Sequence, residues 1–207
     1  MQTLFRDQIE QDKYQELVAQ RGEPQAYLDW LSAELMVDAR EDLAYFCREI
    51  LGYEQLLPDH ERLCKWITQH QDVPKLLLMP RYSFKSSIAT VAYTLWCLLR
   101  NPNERILIYS DTTEKAEGFL LEIKNHILGL AKGGGFRKLT HQQPWEVDPQ
   151  QHTWNQSAIV VAARTEAHWV PSVDTAGIET SKIGKHYDRI LFDDIVSDKN
   201  VTTPEQM

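Results

Sequence analysis

The stretch that most constrains this chain lies between Lys75 and Leu99. Lys75, Leu76, Leu77, Leu78 and Met79 form a short apolar run that stops at Pro80. A run of that length predicts a strand buried on both faces, as in a parallel sheet. From Ser86 onward the chain is apolar nearly all round, through Ile88, Val91, Ala92, Leu95, Trp96, Leu98 and Leu99, which predicts a helix packed on that sheet. Asn101, Pro102 and Asn103 make a turn. Residues 105–110, with Ile106, Leu107, Ile108 and Tyr109, read as a second strand, and residues 113–130 as a second helix ended by Gly133, Gly134 and Gly135. The order strand, helix, strand, helix predicts an α/β fold with a parallel sheet flanked by helices. Residues 157–163 are a third strand candidate. Residues 188–193 are a fourth, in which Ile190, Leu191 and Phe192 lead into acids.

Ahead of this region, residues 1–50 read as a helical lead-in. Leu4, Phe5, Ile9, Tyr14, Leu17 and Val18 recur at helical spacing, and a break follows at Arg21, Gly22, Glu23 and Pro24. A second helical stretch carries Tyr27, Leu28, Leu31, Leu35 and Met36, then Leu43, Phe46 and Ile50. It reads as a solvated amphipathic segment, with a partner-docking arm as the alternative. A further helix is expected over residues 60–69, with Asp59 as its N-cap. The chain thus divides into residues 1–50 and an α/β domain over residues 51–207. No apolar run approaches the roughly 20 residues that span a bilayer, so no membrane partner is expected. Cys47, Cys64 and Cys97 are far apart and form no metal-binding cluster, which points to a reducing compartment. The net charge of −8 sits mostly on residues 1–50, which hold 11 acids and 5 bases. The remainder is near neutral, so no broad DNA-wrapping surface is indicated.

The loop between the first strand and its helix has the chemistry of a phosphate site. It comprises Pro80, Arg81, Tyr82, Ser83, Phe84, Lys85, Ser86 and Ser87. First-turn N–H groups point at anions, a lysine at position 85 can reach terminal phosphates, and the hydroxyl of Ser86 is placed to ligate magnesium. The usual P-loop has glycine six residues and one residue before the lysine. Here Met79 and Phe84 occupy those positions. Arg81 either spreads its charge over a transferring phosphoryl group or pairs with an acid on a neighbouring strand. Farther on, Asp188 to Val196 has the form of a Walker B strand, with Asp193 as the magnesium acid and Asp194 as the residue that polarises attacking water. Asp193 lies 108 residues after Lys85. Thr112 and Thr113 read as an N-cap pair, with phosphate sensing or DNA contact as the alternative. Ser181, Lys182, Gly184, Lys185 and His186 read as a solvated loop, or as a loop near phosphate or DNA.

In combination, these residues resemble the ATPase region of tailed-phage terminase large subunits. The loop from Leu78 to Ser87 is similar to that family's variant phosphate loop, in which proline-arginine opens and lysine-serine closes. Ile159, Val160, Val161, Arg164, Thr165, Pro171, Ser172, Ala176, Gly177, Gly184, His186 and the double aspartate resemble its run into Walker B, and the closing Thr203, Pro204, Glu205 and Gln206 fit the same pattern. The resemblance implies an ASCE-type P-loop ATPase using ATP and Mg2+ to drive double-stranded DNA into a procapsid in the host cytoplasm. Its partners would be the portal protein and the small terminase subunit, and it would work as a homo-oligomeric ring. By the same resemblance Arg81, Lys85 and Asp194 are catalytic, Ser86 and Asp193 hold the metal, and His60 reads adenine where related motors place a glutamine. On this reading residues 51–207 are an incomplete ATPase domain, short of its last strands and of the family's nuclease domain. Two alternatives stand beside it: another ASCE-class translocase such as a helicase, and a non-hydrolysing assembly fragment.

Overall fold

The computed structural model describes residues 8–69, 73–132, 134–140, 145, 153–182 and 184–195. The expectations that rest on Leu4, Phe5, Gly133, Val196 and the closing Thr203 to Gln206 stretch lie outside the described residues. Two helices lead in. Helix α1 (Gln8–Arg21) packs against α2 (Glu23–Glu41), and Gly22 makes the corner between them at φ 81°. Buried Asp29 secures the pair by accepting from Arg21 at 2.8 Å and from Gln25 at 3.0 Å. Asp42 then caps α3 (Leu43–Tyr45), accepting from the backbone N–H groups of Ala44 and Tyr45, and the chain continues as a π-helical turn, Phe46–Ile50. Leu43, Phe46, Cys47 and Ile50 are buried in the main core, so the lead-in merges with the domain it precedes instead of remaining solvated throughout.

Helix α4 (Pro58–Thr68) begins earlier than its sequence pattern suggests. Its N-cap is Leu57, and the cap is made by His60, whose Nδ1 accepts from the Leu57 N–H at 3.0 Å; Asp59 lies in the first turn instead. A π-helical segment, Ser87–Ala92, runs without interruption into α5 (Tyr93–Arg100), and nearly every residue of that rod from Ile88 to Leu99 is buried. Strand β1 (Ile106–Ser110) leads to α6 (Thr113–Ile127), where Thr112 is the N-cap expected, its hydroxyl accepting from the Lys115 N–H at 3.3 Å. A short α7 (Gly135–Leu139) follows, then β2 (Ala158–Ile159), β3 (Val173–Gly177) and β4 (Arg189–Asp193).

The four strands form one open sheet in the order β2-β3-β1-β4. Strand β1 pairs in parallel with both β3 and β4, while β2 is antiparallel to β3. The sheet is therefore mixed, where an all-parallel sheet was expected. Ile106, Ile108, Val173 and Leu191 face the helical layer of α5 and α6. Alternation sends Leu107, Tyr109, Asp174, Ala176, Ile190 and Phe192 to the other face. There the chain between β3 and β4 is tied down by Asp174, which accepts from Lys182, Lys185 and Tyr187 at 2.9, 2.7 and 2.7 Å.

Residues 75–79 depart most from expectation. They join no ladder among the described residues. Leu77 and Met79 pack on the core, whereas Leu76 and Leu78 are exposed. An apolar run becomes a two-sided buried strand only when a hydrogen-bonded neighbour and a covering layer exist on each side.

Candidate functional site

The C-terminal ends of β1 and β4 lie side by side, with Ser110 in register with Asp193. Just past β4 the chain turns sharply at Asp194, at φ 47°. The Asp194 carboxylate accepts from the Lys85 ammonium at 2.6 Å, joining positions 109 residues apart. Lys85 begins the long helical rod, whose first turn closes with the Ile88 N–H donating to the Phe84 carbonyl at 3.2 Å. The amides of Lys85, Ser86 and Ser87 thus sit in a first turn, without helical acceptors of their own. The loop and the acidic strand end meet at one place, as their order in the sequence suggested.

Asp193 is buried beneath that pair. Its Oδ2 accepts from the Thr90 hydroxyl at 3.3 Å, and its backbone carbonyl accepts from the Ser110 hydroxyl at 2.9 Å. Thr90 belongs to the π-helical segment, a local widening that often accompanies functional positions. The sequence reading missed both hydroxyls. Each carried a faint signal: Thr90 is a polar interruption in a helix otherwise apolar all round, and Ser110 ends a buried strand.

The loop itself is held under tension. Among the described residues, the non-glycine positions with positive φ are Tyr82 (62°), Phe84 (60°) and Asp194 (47°). Each costs about 1–2 kcal/mol of left-handed strain, and such strain clusters where surrounding structure enforces a functional geometry. Phe84 stands where the usual P-loop has its second glycine, and its backbone keeps the left-handed conformation that glycine favours. Its ring packs edge-on to Tyr53 at 4.9 Å and against His60 at 6.0 Å. Tyr82 is fully exposed. Pro80 and Arg81 are exposed too, and Arg81 makes no ion pair among the described residues.

His60 approaches the loop from α4. Its Nδ1 is occupied by the Leu57 N–H, so the proton sits on Nε2, which donates to the Ser83 carbonyl at 3.1 Å. Both ring nitrogens thus have partners within the fold. Of the other expectations, Thr113 braces β3, its hydroxyl accepting from the Gly177 N–H at 3.2 Å. Lys182 and Lys185 are committed to Asp174. Burial opposes ionisation of that carboxyl, yet Lys185, Tyr187 and Lys182 hold it below the usual carboxylate range.

No group of three or more His, Cys, Asp or Glu able to hold a metal ion occurs among the described residues. Magnesium in nucleotide sites takes one or two protein oxygens and completes its shell with phosphate and water; Ser86 and Asp193 are the oxygens that the sequence offers for such a shell. Compared with known proteins, this sequence matches no family model and no curated protein.

Proposed function

We propose that the chain is the ATPase part of a viral DNA-packaging motor of the terminase large-subunit type, acting on magnesium-ATP. The observation that carries this reading is the junction of Lys85 with Asp194 above the buried, hydroxyl-braced Asp193. The α/β frame, the strained backbone around the junction and the first-turn amides of the buried rod support it.

The residues divide the chemistry as follows. Lys85 is partly exposed and Asp194 largely so, which makes their ion pair weak and exchangeable. A triphosphate carries more negative charge than one carboxylate, so it draws the ammonium away from Asp194. The released carboxylate is then free to orient a water and accept its proton. Ser86 and Asp193 would hold magnesium, with Thr90 and Ser110 keeping the acid in place. Arg81, unpaired within the described fold, supplies a second positive charge near the terminal phosphate. Bound magnesium neutralises phosphate charge and orients the transferred group. On this reading the partners are double-stranded DNA, the portal protein, the small terminase subunit and further copies in a ring, all in the host cytoplasm. Among the described residues no helix is long and apolar enough to cross a membrane.

One observation favours a second reading, a non-hydrolysing assembly fragment. Among the described residues, 75–79 lead into the loop without ladder support, so the loop is held there from α4 and Tyr53 more than from the sheet. Binding of a fluorescent ATP analogue with magnesium in excess, alongside phosphate release, tests both. The motor reading expects magnesium-dependent binding, at least about tenfold weaker in Lys85→Ala. Unchanged binding in that variant removes the nucleotide site, and binding without turnover selects the second reading.

A further inference from the structure

We infer that His60 is a positioning residue: it clamps the strained loop at Ser83 and so sets the amides of residues 84–87 toward phosphate, independently of the nucleobase. The inference rests on the magnesium-nucleotide reading for its ligand, though the clamp itself stands on geometry alone.

Ser83 lies between the two left-handed residues Tyr82 and Phe84. A backbone held on the unfavourable side of φ at two neighbouring positions relaxes unless something pins it. Tyr82 offers no anchor, being fully exposed. The pin is the hydrogen bond from His60 Nε2 to the Ser83 carbonyl, reinforced by the Phe84 ring between His60 and Tyr53. His60 is itself immobilised. It is buried, and its Nδ1 is the acceptor that caps α4. One imidazole thus ties the start of α4 to the loop in a single tautomer, with no ring nitrogen left for a base.

Two amides copy the two halves of the imidazole. In His60→Asn the side-chain oxygen falls near Nδ1, so the cap on Leu57 survives and the clamp is lost. In His60→Gln the amide nitrogen falls near Nε2, so the clamp survives and the cap is lost. Hydrogen exchange of residues 79–88 without nucleotide reads the clamp directly. One neutral hydrogen bond corresponds to roughly fivefold in the opening equilibrium. Exchange about fivefold faster in His60→Asn, and near wild type in His60→Gln, is the expected result. Binding of ATP, GTP and inorganic triphosphate, each with magnesium, reads the consequence: His60→Asn weakens all three by a similar factor, and His60→Gln restores them. Equal loss in both variants overturns the clamp, as does a loss confined to ATP, which is the signature of a base reader. Wild-type protein that shows the expected exchange pattern but binds none of the three keeps the clamp and removes the nucleotide reading.

Discussion

Phe84 and Tyr82 adopt nearly the same backbone conformation, yet they carry opposite amounts of support. Both sit at φ close to 60°, where a side chain costs about 1–2 kcal/mol relative to glycine. Glycine in turn costs about 0.5–1 kcal/mol through the freer unfolded chain. For Tyr82, whose ring touches solvent, the balance favours replacement: Tyr82→Gly should leave stability unchanged or raise it by up to about 1 kcal/mol. For Phe84, whose ring is packed on Tyr53 and His60, losing the ring outweighs the relief, and Phe84→Gly should cost about 2 kcal/mol. Urea unfolding of the two variants measures the contrast; destabilisation of both by similar amounts would mean that Phe84 packing does not hold the loop. This explains why a search for the glycine pattern passes over the loop: the conformation persists while an aromatic cluster offsets its strain. The meeting of Lys85 with the acidic strand end at Asp193 and Asp194 was legible because it follows from residue type and order. Thr90, Ser110 and the clamp of His60 were not, because each depends on a partner distant in sequence and near only in the fold.

Among the elements, legibility followed how much of the stabilising environment lay within the element itself. The rod from Ser87 to Arg100, β1, α6 and β4 each carry their own apolar periodicity and emerged close to expectation. Strand β3 did not announce itself, since Asp174, Ala176 and Gly177 are poor strand formers and outnumber the favourable Val173 and Thr175. It exists because Asp174 is matched by two lysines and a tyrosine from the following loop, and because Gly177 lets the start of α6 approach. Residues 75–79 show the converse, a strand-like sequence without a ladder partner among the described residues. The glycine gives a prediction at this scale. A Cβ at Gly177 would lie 2.6 Å from the Thr113 backbone nitrogen and 2.9 Å from its hydroxyl oxygen. Both belong to the first turn of α6, so the helix itself must shift. Gly177→Ala should therefore destabilise by about 1–3 kcal/mol. At Gly22 an added Cβ meets nothing within 4 Å, but φ 81° with ψ 152° is a backbone region that essentially glycine alone occupies, so Gly22→Ala should cost about 1–3 kcal/mol through strain alone. Thermal melts measure both losses, and a Gly177→Ala melt indistinguishable from wild type would overturn this account of β3.

Over the whole molecule, acid should act first through a buried imidazole and only later through the ion pairs. His126 lies in α6 with its ring 5.9 Å from Tyr53, and burial lowers its pKa to about 4. The folded state therefore resists protonating a group that the unfolded chain protonates near 6.5. Between about pH 6.5 and pH 4 the unfolded chain binds the extra proton, so stability is full above that window and falls as pH drops through it. The loss is on the order of 2 kcal/mol once relaxation around the charged ring is allowed for. Glu122, one turn earlier in α6, has its pKa raised by burial, so the folded state gains a little as acid protonates it, which partly opposes the loss. The carboxylates act lower. Asp188, held below its ordinary range chiefly by its hydrogen bond to Arg105, and Asp174, where burial is outweighed by Lys185, Tyr187 and Lys182, stabilise the fold above the unfolded value of 3.8 and lose that contribution as pH falls through their folded values. Urea unfolding at pH 7.5, 5.0 and 3.5 should show stability falling in both intervals. In His126→Gln the upper interval should flatten, or reverse slightly through Glu122, while the lower one remains. Because Tyr53 also packs on Phe84, the region that loosens first between pH 6.5 and 5 should include the Lys85 loop, seen as faster amide exchange there than in β1. A wild-type profile flat from pH 7.5 to 5.0 would show that the His126 ring reaches solvent when protonated, and that acid enters the molecule by another route.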